Sequence, residues 1–223
     1  MSIPPLVTTL PLTQRSLALT ASPSFREFLQ ANPILAAAFR SRRREIRLPL
    51  ADQEFFVSYP YTLHFVLLLA DESPETLVVA PVLAAIATSS PRFTLQIVRE
   101  SDDLASLDRL VEEFDLIGAI NELDLPLLLV FDEEWTYQGH WGPHPQEAER
   151  YLDEWFERHP DYEILAETET SEAQAGYTSL LDQLTHEMRV WYNSSLNAAC
   201  VREVRGLLVS LLDDEAADEE EQD

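Results

Sequence analysis

The sequence predicts an α/β fold, a mixed β-sheet flanked by helices. Three observations lead there. Apolar runs of strand length, Phe65-Val66-Leu67-Leu68-Leu69 and Leu127-Leu128-Leu129-Val130-Phe131, lie either side of segments with helical periodicity. Between the first run and a helix-length stretch sits a tight turn, Ser73-Pro74-Glu75-Thr76. Glycine is scarce, 5 in 223 residues, which argues against a loop-dominated or all-β chain.

The elements follow in order. Residues 1–23 carry Pro4, Pro5, Pro11 and Pro23 and read as an extended lead-in. Ser24 is placed to cap a helix through Phe39, with Phe25, Phe28, Leu29, Leu35 and Phe39 apolar; Asn32-Pro33 is placed to break it in two. Residues 45–50 are expected as a short strand and 52–59 as a short helix. The 63–70 run is apolar on both faces, as in a fully buried strand. A helix over 74–88 is closed by Ser89-Ser90-Pro91, and Phe93 to Val98 alternates as a second strand. Leu104, Leu107, Leu110, Val111 and Phe114 mark a helix. Residues 126–131 form a third strand, Asp132-Glu133-Glu134 a turn, and Thr136 to Gly139 begins a fourth strand.

Strand, helix, strand implies a parallel pair with a right-handed crossover, and the later two strands suit an antiparallel hairpin. Gln146 to Arg158 is an amphipathic helix, followed by a polar connector over 161–171. Helices over 172–192 and 197–212 are expected to pack as a hairpin on the main domain. Residues 213–223 hold eight acidic side chains in eleven positions and read as a disordered tail.

Composition excludes several functions. There are 40 acidic residues against 15 basic ones, all arginine, for a net charge of −25. That field repels phosphate backbones and anionic lipid, so neither nucleic acid nor a membrane surface is an expected partner. It also fits a salt-adapted or GC-rich source. No apolar run reaches the roughly 18 residues that span a membrane. Met1 to Leu12 lacks the basic and apolar regions of a secretory signal, so a cytoplasmic protein is expected. Arg40, Arg42, Arg43, Arg44 and Arg47 form a basic cluster that suits either a solvated helix end or a patch for an acidic partner or for the chain's own acidic tail. Cys200 stands alone and reads as a buried structural thiol.

Ala70-Asp71-Glu72-Ser73-Pro74-Glu75-Thr76, three residues, then Ala80-Pro81-Val82-Leu83 resembles the active-site segment of the thioredoxin family, Ala-Glu-Trp-Cys-Gly-Pro-Cys, three residues, then Ala-Pro-Ile-Leu. On that resemblance Ser73 occupies the nucleophilic cysteine's position, Thr76 the resolving cysteine's, and Glu72 that of the Trp. Leu125-Pro126 resembles the Ile-Pro that leads into a strand facing the turn, and the resemblance implies a cis peptide there. Gly139-His140-Trp141-Gly142-Pro143-His144-Pro145 resembles the Gly-x-Trp-Gly-Pro-Arg-Pro of a bacterial thioredoxin-like group, with His144 in place of Arg; Trp191-Tyr192-Asn193 resembles a later motif of that group. The resemblance covers about residues 24–212. It implies a thioredoxin-like domain over 24–160 with an N-terminal helical extension, C-terminal helices over 161–212, and the acidic tail.

Disulfide exchange needs a thiolate and a second thiol to resolve the mixed disulfide. Hydroxyls at 73 and 76 supply neither. The expected function is therefore a non-redox binding or structural module, with a groove at Ser73, Thr76, Leu125 and Pro126, and Glu72 and Trp141 at its rim. Loss of thiols leaves the family's peptide-pairing edge intact, so a protein or peptide is the expected partner. The alternative is a glutathione- or thiol-dependent enzyme using the Ser73 hydroxyl at a helix N-terminus. Ser73, Pro74 and Glu75 also make a competent helix start on their own. No cofactor or metal is expected. His140 and His144 are four apart, but Gly142-Pro143 prevents the helix that would stack them. His186-Glu187 lacks the second histidine of a zinc-protease motif. Trp135, Tyr137, Trp141, Trp155, Trp191 and Tyr192 read chiefly as core and hairpin packing.

Overall fold

A computed structural model describes residues 23–70, 73–99 and 125–221. The expected helix over 104–114, Glu72 and most of the lead-in lie outside the described residues.

Three helices come first: α1 (Phe25–Ala31), α2 (Pro33–Glu45) and α3 (Leu50–Ser58). Ser24 and Glu27 form a reciprocal capping box on α1. The break at Asn32 arises because Pro33 takes the first helical position of α2, where its missing N–H costs nothing. Residues 46–49, expected as strand, are irregular, and Leu50 begins α3. The sheet's outer edge is met by other residues. The lead-in takes it: the Ile97 N–H donates to the Pro23 carbonyl at 3.0 Å, and Ser24 bridges Gln96.

One sheet holds four strands, β1 (Leu63–Leu69), β2 (Phe93–Arg99), β3 (Leu127–Phe131) and β4 (Tyr137–Trp141), in the order β2-β1-β3-β4. β1 and β2 are parallel, and β3 is antiparallel to both β1 and β4. The period of two divides the core. Phe65, Leu67, Leu69, Leu95, Ile97, Leu128 and Val130 face the larger cluster; Val66, Leu68, Leu127, Leu129 and Phe131 face the smaller one.

Helix α4 (Pro74–Ala87) crosses between β1 and β2, and every residue from Val78 to Ala87 is buried. A helix apolar all round must be covered on every side. The strands cover one side; α2, α7 (Ser171–Trp191) and α8 (Asn197–Glu221) cover the others, after α5 (Gln146–Arg158) and α6 (Tyr162–Glu167). Val78, Val79, Val82, Leu83 and Ile86 each gain about 1.5–3 kcal/mol from burial, as an upper estimate. That sum rivals the net stability of a whole domain.

Three C-terminal expectations change. The polar connector contains α6, because Tyr162 packs edge-on to Trp155 at 5.4 Å and anchors one turn of Glu-Ile-Leu-Ala. No loop separates α7 from α8, so they are not a loop-joined hairpin. Tyr192–Leu196 winds as a π-helical turn with helical backbone on both sides. Residues 193–196 fall between the two expected helices, yet Asn193 serves tertiary contacts there. Finally, α8 carries its backbone on to Glu221 through residues expected to be disordered; alanine and glutamate are good helix formers. Among the described residues no helix is long and apolar enough to cross a membrane.

The π turn is fastened to α2. Arg42, 4 % exposed, donates to Asn193 Oδ1 at 2.6 Å, to Asn197 Oδ1 at 3.3 Å and to Glu45 Oε2 at 2.6 Å. Glu45 also accepts from Arg189 and from Asn193. The Arg189 bond, ahead of those from Asn193 and Arg42, lowers the Glu45 pKa to about 2. A depressed carboxylate stabilises the fold above its unfolded value, near 4.5, and loses that contribution as pH falls through the folded one. Wild type should therefore exceed Glu45→Gln in denaturant midpoint at pH 6, by on the order of 1 kcal/mol for a partly exposed pair. The two should converge between about pH 4.5 and pH 2. A constant gap down to pH 2 would remove Glu45 as the titrating group.

Candidate functional site

The turn before α4 uses its hydroxyls structurally. Ser73 caps the helix, its Oγ accepting from the Glu75 N–H at 3.1 Å. Thr76 is buried, and its Oγ1 donates 3.0 Å to the Ala70 carbonyl at the end of β1. That bond ties the first turn of α4 back to the strand that precedes it.

Glu75, in the same turn, reaches across the molecule. Its Oε1 lies 2.5 Å from His144 Nδ1, with the side chains 18 % and 17 % exposed. His144 comes from the segment after β4, 69 residues away. The sequence offered one signal for this pair: the resembled motif carries a cation at position 144, and Glu75 is an acid in the facing turn. His140 goes elsewhere, 2.7 Å from the Tyr137 hydroxyl. Among the described residues no group of three His, Cys, Asp or Glu is placed to hold a metal.

A cavity of about 450 Å³ opens beside the turn. Ala70, Ser73, Pro74, Glu75 and His144 form its polar end. Leu152 and Phe156 of α5, Tyr162 of α6, and Tyr177, Leu181, Leu184 and Met188 of α7 form its walls. Of the described residues expected at the groove or its rim, Ser73, Thr76, Leu125, Pro126 and Trp141, Ser73 alone lines it. Leu125 packs against the smaller core cluster and Pro126 is buried; the peptide between them is cis. Trp141, expected at a groove rim, is 8 % exposed and belongs to the main core. Its Nε1 donates 2.8 Å to Glu203 Oε2, and the Gln146 N–H donates 2.9 Å to Oε1 of the same carboxylate. The physical reason is α8, which lies against β4 and covers the ring.

The Trp141-Gly142-Pro143 segment packs on Pro126. Gly142 has φ +141°, and a Cβ there would sit 2.4 Å from the Pro126 carbonyl oxygen. Only glycine meets both conditions without strain. Other expectations sort simply. Arg47 caps the end of α2 by donating to the Arg44 and Ile46 carbonyls, a helix-end role, whereas Arg42 is interior. Trp155 and Tyr192 are fully buried, and Trp191 stacks on Tyr151. Cys200 is buried, and desolvation, with Glu203 adding to it, pushes its thiol pKa well up.

A mixed sheet crossed by a capped, wholly buried helix, with a turn and a proline-led strand beside it, defines a thioredoxin-like α/β protein. The family model described as Thioredoxin matches residues 22–156, more than half of the chain, and the chain belongs to that family. The structure of a protein of unknown function from Pseudomonas aeruginosa is similar, with TM-score 0.56 and 16% identity, covering 86% of this chain and 95% of its own. An HIV epitope-scaffold is similar at TM-score 0.54 and 15% identity, covering 86% of this chain and 96% of its own. At such identities the likeness is one of fold. No curated protein matches the chain.

Two outcomes check these placements. Gly142→Ala should lower stability by about 2–4 kcal/mol in denaturant unfolding, because a backbone atom blocks the new methyl. A change under about 0.5 kcal/mol would contradict the close approach. Cys200 should resist Ellman's reagent in native protein at pH 8 and react fully once unfolded; rapid native labelling would contradict its burial.

Proposed function

We propose that this chain is a non-redox binding module whose ligand surface is the cavity beside the Ser73 turn. One observation carries the reading: a cavity of about 450 Å³, within the usual range for small-molecule sites, joins apolar walls to a few polar groups at the turn. Ser73 and Thr76, read as standing at the family's cysteine positions, offer hydroxyls, and each is engaged in local hydrogen bonding. A hydroxyl is too weak an acid to act as the attacking group in disulfide exchange. Cys200 is interior and belongs to no dithiol, since it is the chain's sole cysteine.

Sequence reading places the contact surface along Ser73, Thr76, Leu125 and Pro126; of these, Ser73 lines the cavity and the other three do not. Their hydrogen bonding and packing favour a supporting role, and the cavity moves the proposed surface to the α5–α6–α7 side of the turn. Glu75 at the cavity's polar end disfavours a glutathione thiolate, which weighs against the enzymatic alternative.

The test has two arms. With dithiothreitol present, the protein should reduce insulin disulfides no faster than a thiol-free control. Small apolar fragments screened by saturation-transfer NMR should give hits that Leu181→Trp, which fills the cavity, abolishes without loss of helical circular dichroism. Insulin turnover above control overturns the non-redox half. Hits unaffected by Leu181→Trp overturn the cavity half.

A further inference from the structure

Three aromatic rings stand together in the cavity wall. Phe156 and Tyr162 have centroids 5.4 Å apart with planes inclined at 61°, and Tyr162 and Tyr177 have centroids 5.2 Å apart at 47°. The rings pack on one another edge-to-face or tilted, and all three residues line the cavity. The Tyr162 hydroxyl donates to that of Tyr177 at 3.4 Å, so the two phenols hold each other at their edges. Phe156 lines the cavity and remains 40 % exposed.

The polar end faces this ring cluster with a carboxylate. His144 engages Glu75 Oε1, and among the described residues Oε2 of Glu75 accepts no hydrogen bond. Glu75 is close enough to Tyr162 to act on it: the tyrosine pKa is raised first by burial, then by Tyr177, and further by the Glu75 charge. Leu152, Leu181, Leu184 and Met188 close the remaining wall with apolar surface. The chain's net charge of −25 draws cations toward any such opening and repels anions.

Aromatic faces are electron-rich, and a site that combines several aromatic rings with a carboxylate is matched to an organic cation. We propose that the cavity binds an alkylammonium or quaternary ammonium head that carries a small apolar group. The head sits among Phe156, Tyr162 and Tyr177 with Glu75 as its counter-charge, and the apolar part lies on Leu181, Leu184 and Met188. This inference rests on the reading of the cavity as a ligand site and adds the sign and chemistry of the ligand.

The test compares three probes on the full chain by saturation-transfer NMR and tryptophan fluorescence. They are phenyltrimethylammonium, its uncharged isostere tert-butylbenzene, and phenylacetate. The cation should bind at least about tenfold tighter than the isostere, and the anion weakest. Glu75→Gln should cost the cation about tenfold and leave the isostere unchanged. Tyr177→Leu, at a half-buried position, should act in the same sense. Equal affinity for cation and isostere in the wild type overturns the cation inference and leaves the cavity reading standing. Binding of none of the three probes overturns both. Selective cation binding that survives both substitutions unchanged overturns the assignment to this cage.

Discussion

The structure depends on covering α4. From Val78 to Ala87 this helix has no face for water, so a single sheet cannot satisfy it. The sheet takes one side, and α2, α7 and α8 take the rest. This explains why helices are needed at both ends of the chain. It also explains why α7 and α8 stay helical through a π turn instead of parting at a loop: both must lie on the same helix. The Arg42–Glu45–Asn193 network then fastens that long helical run to α2, so two parts of the cover are bonded to each other as well as to what they cover.

The candidate site lies where this cover ends. The first turn of α4 is polar, since it carries the cap, the first-turn carboxylate and the unpaired N–H groups that every helix N-terminus presents. Apolar packing cannot close over such groups without leaving them unsatisfied. The helices α5, α6 and α7 therefore meet around the turn and leave a cavity whose walls are apolar and whose end is polar. Three of its wall elements lie wholly or partly beyond the turn's own strand–helix unit, and α6 and α7 lie beyond residue 156, where the family match ends.

What was legible in the sequence follows from the range of the forces involved. β1, β2, β3 and α4 could be read because patterning and capping are local: an apolar run, alternation, Ser-Pro-Glu at a helix start. The Ser73 cap was visible for the same reason. The Glu75–His144 pair was not, because it joins positions 69 apart and each residue has an innocent local reading. Trp141 was placed at a rim for want of knowing that α8 lies over β4. The break expected between helices over 172–192 and 197–212 is helical instead, and Asn193 hydrogen-bonds Arg42 and Glu45 there. The strand expected over 45–50 does not form. Residues 46–49 are irregular and lead into α3 at Leu50, while Pro23 and Ser24 bond the β2 edge.

The electrostatics of the turn decide what kind of ligand it suits. A helix N-terminus holds a partial positive charge, and in a thiol site that charge stabilises a thiolate. Here the charge is met from within. Glu75 sits in the first turn, and the Ser73 oxygen accepts its N–H, so the dipole already has its counter-charge. A second anion would face Glu75 with the dipole spent. In the proposed site a cation would meet the Glu75 carboxylate, which also engages His144, and the rings of Phe156, Tyr162 and Tyr177. On the proposed reading, the turn favours a cation where a thiol site favours an anion. An acid at position 75 and a hydroxyl at 73 belong together: one supplies the field, the other keeps the helix end intact without competing for the ligand.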